Sequence, residues 1–485
     1  MWVERYDRGQ LELGALAQRL GVHGGLAWLD GEGLLKAGWS FLGCAPVDVV
    51  RATFADQEPL ARLTPLDADP RFEDAYVGPA AGDALPPLAR VPRHIGYLAY
   101  DAAFALEPHL AARHQRDPAS TTLHFARYDA LLAVDHERDA GFLLADNQAA
   151  ARGLRERLDT PLASTASVSV SEAWAPPPER HAGAIRAALE HIAAGDFYQV
   201  NLARRWTAKY SGDPLLLFLA MRRASPVPLG AYLDAGDHAV LARTMETFLR
   251  WERDTRELST RPIKGTIPRR DDMDEDERVA GLLRADAKEH AEHAMIVDLM
   301  RNDLARVAET GSVRVTAPFS VEPYARLSHL VTTIAATTRP EVGLVDILRA
   351  TFPPGSVTGA PKLAAMRAIE ALEPEPRGVY CGAIGHLDQR GGLSLAVAIR
   401  TALAHADVVH YYAGGGLVAA SDPEREVAET ELKARVFLDA LDAPSCGGAS
   451  GTTVRRGSRP LPPRAPARLR PAARRARGLG RRRRA

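Results

Sequence analysis

The chain has 485 residues and an average globular composition, with 46% hydrophobic and 25% charged residues. It has no apolar run near the ~20 residues that a membrane-spanning helix needs, and its first thirty residues lack the apolar core of a signal peptide. Its three cysteines, Cys44, Cys381 and Cys446, are odd in number and widely spaced, which excludes a disulfide framework and a CxxC metal site. We therefore expect a soluble protein of the cytoplasm.

The 61 basic and 61 acidic residues cancel, but they are unevenly distributed. Residues 443–485 contain thirteen arginines and no acidic residue, which leaves 48 bases against 61 acids and a net charge of −13 in residues 1–442. This last segment is rich in Pro, Gly and Arg, so it cannot bury enough apolar surface to offset its chain entropy. We predict an acidic folded body and a disordered tail over 443–485.

The first part of the body predicts strands separated by turn residues, at residues 25–31, 38–46, 47–54 and 94–101. Residues 160–178 have the composition of a linker. We therefore predict one region over 1–165 and a second over 178–442.

The second region begins with a helical pattern from residue 179 to Gly195, followed by a strand over 197–206. Further on, the loop or strand end RPIKGTIPRR contains Lys264 between an isoleucine and a glycine. Partial desolvation there would lower the pKa of the lysine and make its neutral amine available as a nucleophile. The alternative is an ordinary solvated lysine.

Residues 287–308 predict a helix with an apolar stripe, and its first turns place Glu289 and Glu292 on one face. Paired carboxylates on a rigid helix suit a hard cation such as Mg²⁺. The alternative is a solvated charged face.

A second acidic helix follows three glycines, Gly414, Gly415 and Gly416, which would let backbone amides approach an anion closely. Residues 421–424, Ser-Asp-Pro-Glu, predict a capping box at its start. Glu426, Glu429 and Lys433 share one stripe of this helix, and a simple salt bridge between Glu429 and Lys433 is the alternative to a functional site.

Several other sites are disfavoured. The segment GSVTGAPK (355–362) lacks the Gly-Lys-Ser/Thr of a phosphate loop, and no GxGxxG pattern is present. No cysteine lies in a glycine-bounded elbow suited to a glutaminase nucleophile. His290 and His293 give only a weak indication of a metal site.

Taken together, seven collinear segments of this chain resemble the chorismate-utilising enzymes, a family that includes anthranilate, aminodeoxychorismate, isochorismate and salicylate synthases. The resemblance covers about residues 1–442. It rests on GDFYQVNLARR (195–205), RPIKGTIPR (261–269), AEHAMIVDLMRNDLARV (291–307), FPPGSVTGAPKLAAMRAIEALEP (352–374), RGVYCGAIGHL (377–387), IRTAL (399–403) and AGGGLVAASDPEREVAETELKA (413–434). It implies an α+β fold in which two β-sheets pack face to face with helices outside.

Two positions favour one branch of this family, aminodeoxychorismate synthase component I. Lys264 in PIKGT matches that branch, whereas anthranilate synthases have alanine there. Gln199 stands where isochorismate and salicylate synthases have a lysine that activates water, which implies ammonia as the nucleophile. Anthranilate synthase component I is the alternative function.

The resemblance also implies roles for individual residues. Mg²⁺ would bridge chorismate to Glu292 and Glu429, with Glu289 and Glu426 beside it. Lys264 would attack C2 of chorismate while Glu246 protonates the departing C4 hydroxyl, although Glu246 follows Thr-Met here and Ser-Pro in the family. The implied substrate contacts are Arg400, Thr358, Tyr380, Lys433, His329, Gln199 and the amides of Gly414, Gly415 and Gly416.

The resemblance finally implies a partner. The chain shows no glutaminase of its own, so a separate glutamine amidotransferase subunit would supply ammonia. The arginine-rich tail could bind nucleic acid or an acidic partner through its charge, but it lacks aromatic residues for base stacking. We expect this tail to be dispensable.

Overall fold

Residues 1–442, apart from 10, 32–37, 68–74, 108, 163–166, 271 and 325–326, are described by the computed structural model. The tail predicted over 443–485 lies outside the described residues. The strands of the described chain are β1 (Trp2–Tyr6), β2 (Ala27–Asp30), β3 (Trp39–Gly43), β4 (Asp48–Thr53), β5 (Pro92–Leu98), β6 (Thr121–Arg127), β7 (Ala130–Asp135), β8 (Ala140–Ala145), β9 (Val168–Trp174), β10 (Gln199–Gly212), β11 (Leu229–Asp234), β12 (His238–Thr244), β13 (Thr247–Glu252), β14 (Glu257–Arg261), β15 (Ile263–Pro268), β16 (Arg314–Pro323), β17 (Leu327–Thr337), β18 (Gly359–Ala360), β19 (Ala383–Asp388), β20 (Leu393–Val397), β21 (Thr401–His405) and β22 (Val408–Leu417).

Its helices are α1 (Leu13–Gly21), α2 (Thr64–Asp67), α3 (Ala103–Leu106), α4 (Gln148–Asp159), α5 (Pro178–Ala193), α6 (Pro214–Ala224), α7 (Met273–Ala285), α8 (Ala287–Ala305), α9 (Leu344–Thr351), α10 (Lys362–Leu372) and α11 (Pro423–Asp442). Single turns of 3₁₀-helix occur at Pro59–Leu63, Leu88–Arg90, Tyr100–Ala102 and Gly355–Val357. None of the helices in this part of the chain is long and apolar enough to cross a membrane.

The strands form two antiparallel sheets. Sheet A has the order β1-β8-β7-β3-β2-β11-β12-β21-β22-β10-β18, with β9 also paired to β10. Sheet B has the order β15-β17-β14-β13-β20-β19-β5-β6-β4, with β16 also paired to β17. Strands from the first part of the chain enter both sheets, because β2 pairs with β11 and β5 pairs with β19.

Three apolar clusters stack these elements in layers. Between the sheets, Val240 of sheet A packs in one cluster with Tyr97 and Ile384 of sheet B. The outer face of sheet A is covered by α1, α4, α6 and α11, and that of sheet B by α8 and α9. The predicted α+β arrangement of two packed sheets with outer helices is confirmed.

Most predicted elements are found close to their predicted positions. The helix predicted from residue 179 is α5, and Gly195, with φ of 78°, follows its end in the conformation that favours glycine. The apolar stripe of α8 is buried, with Ile296, Met300 and Leu304 at most 1% exposed.

Two local predictions are wrong. The segment predicted as a linker contains β9, because its alternating valines pair along the outer half of β10. The predicted capping box is not formed as expected: Asp422 Oδ1 accepts the amide of Arg425 at 3.0 Å, while the Ser421 hydroxyl accepts the amide of Val418 at 3.2 Å. Ser421 therefore closes the turn before α11 and Asp422 caps the helix.

Candidate active site

Lys264 lies on β15 at an interruption of the sheet. The pairing of β15 with β17 shifts register between Lys264 and Thr266, and Gly265 between them has a φ of 56°. This φ lies in the left-handed region that favours glycine, and a Cβ at Gly265 would also lie 2.7 Å from Leu283 Cδ1. Because a bulge bends a strand and changes the direction of its side chains, Gly265 sets the direction of Lys264.

The lysine side chain meets β10 and β22 at Gly416. A Cβ on Gly416 would lie 3.0 Å from Lys264 Nζ and 2.8 Å from Gln199 Nε2. Gly416 pairs with Asn201 in the register of β10 and β22. The missing side chain at Gly416 thus lets two distant residues converge at one point.

The polar atoms around this point are incompletely paired. Gln199 Oε1, Asn201 Oδ1 and Glu246 Oε1 are buried without a hydrogen-bond partner in the described chain. The ammonium of Lys264 likewise forms no hydrogen bond or ion pair with any residue of the described chain. Buried polar groups are normally satisfied, so this group of orphaned atoms indicates the site of a polar ligand.

Glu246 is the carboxylic acid of this group and is only 5% exposed. Burial raises the pKa of Glu246 to about 7, against smaller lowering effects from the Ser356 hydroxyl and the charge of Lys264. A carboxyl group with this pKa carries its proton in a substantial fraction of molecules at neutral pH. Glu246 can therefore donate a proton at a point close to Lys264.

Carboxylates from α8 and α11 converge beside the glycines of β22. A Cβ at Gly415 would lie 3.1 Å from Glu426 Oε2 and 3.9 Å from Glu429 Oε1. Burial raises the pKa of Glu426, and the charges of Glu429 and Glu292 raise it further, against lowering by Ser421 and Lys433. Glu292 and Glu429 are thus each close enough to Glu426 for their charges to repel its carboxylate.

One cation of the structure already lies at this cluster. Lys433 Nζ is 2.6 Å from Glu429 Oε1 and donates to the carbonyl of Gly414 at 2.9 Å. The simple salt bridge considered for this pair from the sequence is therefore present. Glu289 lies at the other side, with its Oε2 within 3.4 Å of the Cβ position of Gly265.

The donor set of this cluster is compatible with Mg²⁺. Among the described residues, no three His, Cys, Asp or Glu side chains are close enough to bind one ion by themselves. Mg²⁺ does not need such a cage, because it binds through one or two carboxylates and completes its shell with water and substrate oxygens. The oxygen ligands, and the repulsion that Glu292 and Glu429 exert on Glu426, fit a divalent cation on this basis.

Arg400 provides a separate positive charge. Its backbone has a φ of 49°, a conformation that is uncommon outside glycine, and its carbonyl accepts the amide of Arg243 at 3.0 Å. Its guanidinium has no hydrogen bond or ion pair with any residue that the structure describes. Burial lowers the pKa of Arg400, so this cation is held partly desolvated and without a carboxylate.

His329 lies near Arg400 on β17. Its Nδ1 is 3.0 Å from Thr266 Oγ1, and its ring stacks edge-on against Tyr324 at 5.2 Å between centroids. Burial and then the charge of Arg400 lower the pKa of His329 to about 4. His329 is therefore neutral at physiological pH and can exchange one hydrogen bond with a ligand.

Two predicted substrate contacts have other partners in the structure. The Thr358 hydroxyl donates to the carbonyls of Pro354 and Gly355 at 3.2 and 3.1 Å. The Tyr380 ring stacks on Tyr412 at 5.1 Å between centroids and belongs to a buried cluster around Arg377. Their contacts with substrate, like those of the glycine amides, stay predictions.

The arrangement also includes two residues that were not given a role from the sequence. Asn201 lies two residues after Gln199 and so on the same face of β10. The two-residue period of a strand could have identified Asn201 as a site residue from the sequence. His293 follows Glu289 by four residues and is fully buried, with Nε2 at 2.7 Å from Thr332 Oγ1. Burial and then Lys264 lower the pKa of His293 to about 4.

Two solved structures share the architecture of this chain. The chain superimposes with a TM-score of 0.71 and 28% identity on anthranilate synthase component I from Streptococcus pneumoniae, covering 83% of this chain and 92% of that one. The menaquinone-specific isochorismate synthase from Escherichia coli gives a TM-score of 0.66 at 20% identity, with coverage of 90% and 94%, and shows the fold alone.

Curated relatives give a similar picture. Aminodeoxychorismate synthase component 1 from Escherichia coli is 40% identical over 353 residues, which are 72% of this chain and 76% of that protein. Anthranilate synthase component 1 from Thermus thermophilus is 42% identical over 269 residues, 56% and 58% of the two chains. The family profile of chorismate binding enzymes matches residues 35–439. The resemblance seen in the sequence motifs is thus confirmed, and the chain belongs to the family of chorismate binding enzymes.

Proposed function

We propose that this protein is the chorismate-aminating component of an aminodeoxychorismate synthase. It would replace the C4 hydroxyl of chorismate by an amino group from ammonia, which yields 4-amino-4-deoxychorismate for 4-aminobenzoate and folate biosynthesis. The observation that carries the proposal is the ammonium of Lys264, which has no partner among the described residues, meets Gln199 at Gly416 and lies close to the protonatable Glu246.

The proposed reaction consists of two displacements. The neutral amine of Lys264 bonds to C2 of the ring, the double bond shifts, and the C4 hydroxyl leaves as water with the proton of Glu246. Ammonia then bonds to C4 while the double bond shifts back and the C2–Nζ bond breaks. Gln199 cannot act as a base towards water, and its orphaned Oε1 can accept a hydrogen bond from the incoming ammonia.

The charged groups around Lys264 would hold the substrate. Arg400 would pair with a substrate carboxylate, since a guanidinium binds a carboxylate through two parallel hydrogen bonds. Glu292 and Glu429, with Glu289 and Glu426 beside them, would hold Mg²⁺. The ion would neutralise a ring carboxylate and orient the ring.

The proposal includes a partner and a location. Relatives named component 1 are similar to this chain over 72% of its length, so we propose a separate glutamine amidotransferase subunit as the source of ammonia. A cytoplasmic location agrees with the buried free thiols of Cys44 and Cys381, because such thiols persist in a reducing compartment.

Product analysis tests the proposal. Purified protein with chorismate, Mg²⁺ and an excess of ammonium salt should form 4-amino-4-deoxychorismate, identified by chromatography and mass spectrometry. The second candidate is anthranilate synthase, favoured by the 42% identity with the Thermus thermophilus enzyme. Anthranilate and pyruvate as the main products would establish that candidate and overturn ours.

A further inference from the structure

A cleft of about 510 Å³ opens at one end of sheet A, well away from Lys264. It lies where β10, β11 and β12 meet the start of α6, and its lining includes Tyr210, Asp213, Tyr232 and Asp234. β10 starts at the candidate active site with Gln199 and reaches the cleft at Tyr210, roughly 36 Å along the strand. The volume is within the range of small-molecule sites.

Two phenol groups in this cleft have no partner. Tyr232 and Tyr210 are 4% and 9% exposed, respectively, and both rings line the cleft. Neither hydroxyl forms a hydrogen bond with another residue of the described chain. Neither phenol oxygen is a fully buried orphaned atom, so both are accessible from the cleft and can bond to water or to a polar ligand there.

The charge of the cleft is negative. Asp213 caps α6 by accepting the amide of Leu215 at 2.8 Å, and Asp234 accepts the amides of Gly25 and Gly236. Neither carboxylate forms an ion pair within the part of the chain that the structure describes, and no described Lys or Arg lines the cleft. A third carboxylate, Asp237, is already paired with Arg51 at 2.7 Å.

The carboxylates lie close to the free phenols. Burial raises the pKa of Tyr232, and the charges of Asp213 and Asp234 raise it further. Burial also lowers the pKa of His238, the remaining titratable group on the lining, so this imidazole adds no positive charge at neutral pH. The accessible apolar surface of the cleft comes from Val22, which is 71% exposed, and from the half-buried Pro214.

We propose that this cleft is a second ligand site, which binds a small organic cation with a primary ammonium group on an apolar body. The ammonium would donate to Asp213 and Asp234 and to the phenol oxygen of Tyr232, while the body packs on Val22 and Pro214. A bare metal ion fits less well, because it would leave the apolar walls and most of the 510 Å³ unfilled.

Isothermal titration calorimetry on the full-length protein tests this site. The probe is phenethylamine, and 2-phenylethanol, which has the same shape without the charge, is the matched ligand control. We expect saturable binding of phenethylamine and binding of the alcohol that is about tenfold weaker or undetectable, as expected for the loss of one charged hydrogen bond. No saturable heat with phenethylamine, or equal affinity for both ligands, would overturn the proposal.

Three variants locate the binding. Asp213→Asn keeps a cap on α6 and Tyr232→Phe keeps the ring contact with Phe218, so both should fold. Each of these two substitutions should weaken the affinity for phenethylamine by roughly three- to tenfold. Asp272→Asn, which changes the equivalent cap of α7 outside the cleft, should leave the affinity unchanged. Unchanged binding in both cleft variants would assign the probe to another surface and refute the site, whatever the product of the chorismate reaction.

Discussion

In the proposed reaction, Lys264 and Glu246 have opposite requirements. The lysine must lose a proton to act as a nucleophile, and the carboxyl group must keep one to protonate a leaving hydroxyl. The structure separates their environments, because Lys264 lies at a bulge beside Gly416 whereas Glu246 is 5% exposed. Burial is the main reason that the pKa of Glu246 is raised to about 7.

Replacement of Lys264 tests its covalent role. Lys264→Met keeps the length and the apolar stem but removes the amine, so we expect 4-amino-4-deoxychorismate formation to fall by on the order of a thousandfold, as for loss of a nucleophile. The matched control is Lys209→Met, at the exposed far end of β10. The rate of 4-amino-4-deoxychorismate formation with ammonia as donor is measured for both variants. Near-normal turnover in Lys264→Met would contradict the covalent step.

The raised pKa of Glu246 predicts a pH dependence. Because the protonated form is the acid, turnover should fall as the pH rises through about 7, and Glu246→Gln should lower turnover and abolish this limb. The same raised pKa makes the stability of the fold depend on pH. Between pH 4.5 and about pH 7 the folded state binds more protons at Glu246 than the unfolded state does. Ionisation of Glu246 therefore destabilises the fold progressively as the pH rises through this range.

Urea unfolding at pH 5 and pH 8 measures the second effect. The free energy of unfolding of Glu246→Gln relative to the original protein should be higher at pH 8 than at pH 5. A difference that is the same at both pH values would show that Glu246 ionises normally.

Strand β22 and helices α8 and α11 act together at the scale of elements. The glycines of β22 leave the space in which Gln199, Lys264 and the α11 carboxylates approach the strand. The role of Gly416 is therefore spatial, since its φ is not among the positive ones of the chain.

Gly416→Ala should disrupt the site more than the fold. The added methyl group meets the ends of two flexible side chains at 2.8 and 3.0 Å, so Gln199 and Lys264 must move apart. We expect turnover to fall by about a hundredfold or more, because misplaced reacting groups lose a factor of this size in rate. Gly153→Ala is the control: it has open space in α4 and should stabilise the protein by about 0.5–1 kcal/mol.

The two acidic helices predict the metal dependence. Glu292→Gln and Glu429→Gln each remove a proposed ligand, so the Mg²⁺ concentration for half-maximal activity should rise by about tenfold or more. Glu424→Gln, in the first turn of α11 and largely exposed, is the control. A normal Mg²⁺ response of both ligand variants would contradict the proposed binding mode.

Local pattern was sufficient for most of the elements that we predicted and insufficient for β9. The helical period placed α5 and α8, and turn residues bounded β2, β3 and β4. Residues 168–174 were misjudged because their Ser and Glu content suggests a linker. The strand with which they pair, β10, begins 25 residues after they end, so local pattern does not reveal it. Strand formation depends on such partners more than on composition.

The whole molecule combines an acidic body with a basic segment. With a net charge of −13 over residues 1–442, the body attracts no dianion at long range, and we therefore propose that local groups such as Arg400 hold chorismate. Arg400 is suited to this role because its guanidinium has no ion pair within the described chain.

Truncation tests the prediction that the basic segment is dispensable. Removal of residues 444–485 should leave turnover with ammonia unchanged within about twofold, because every proposed site residue precedes it. It should also abolish any salt-sensitive retention on DNA or RNA columns. A large loss of turnover would show that this segment supports the enzyme, and the full-length protein at matched salt is the control.

The sequence by itself determined the family, several of the elements and the residues proposed for the chemistry, because these depend on motifs and on short-range periodicity. Only the tertiary structure decided which of those residues meet. Gln199, Lys264 and Gly416 are far apart in the chain and converge through the pairing of β10 with β22 and the bulge at Gly265. The pKa of Glu246 likewise depends on burial between elements that local sequence does not specify. Convergence and desolvation are long-range properties, and the folded packing alone creates them.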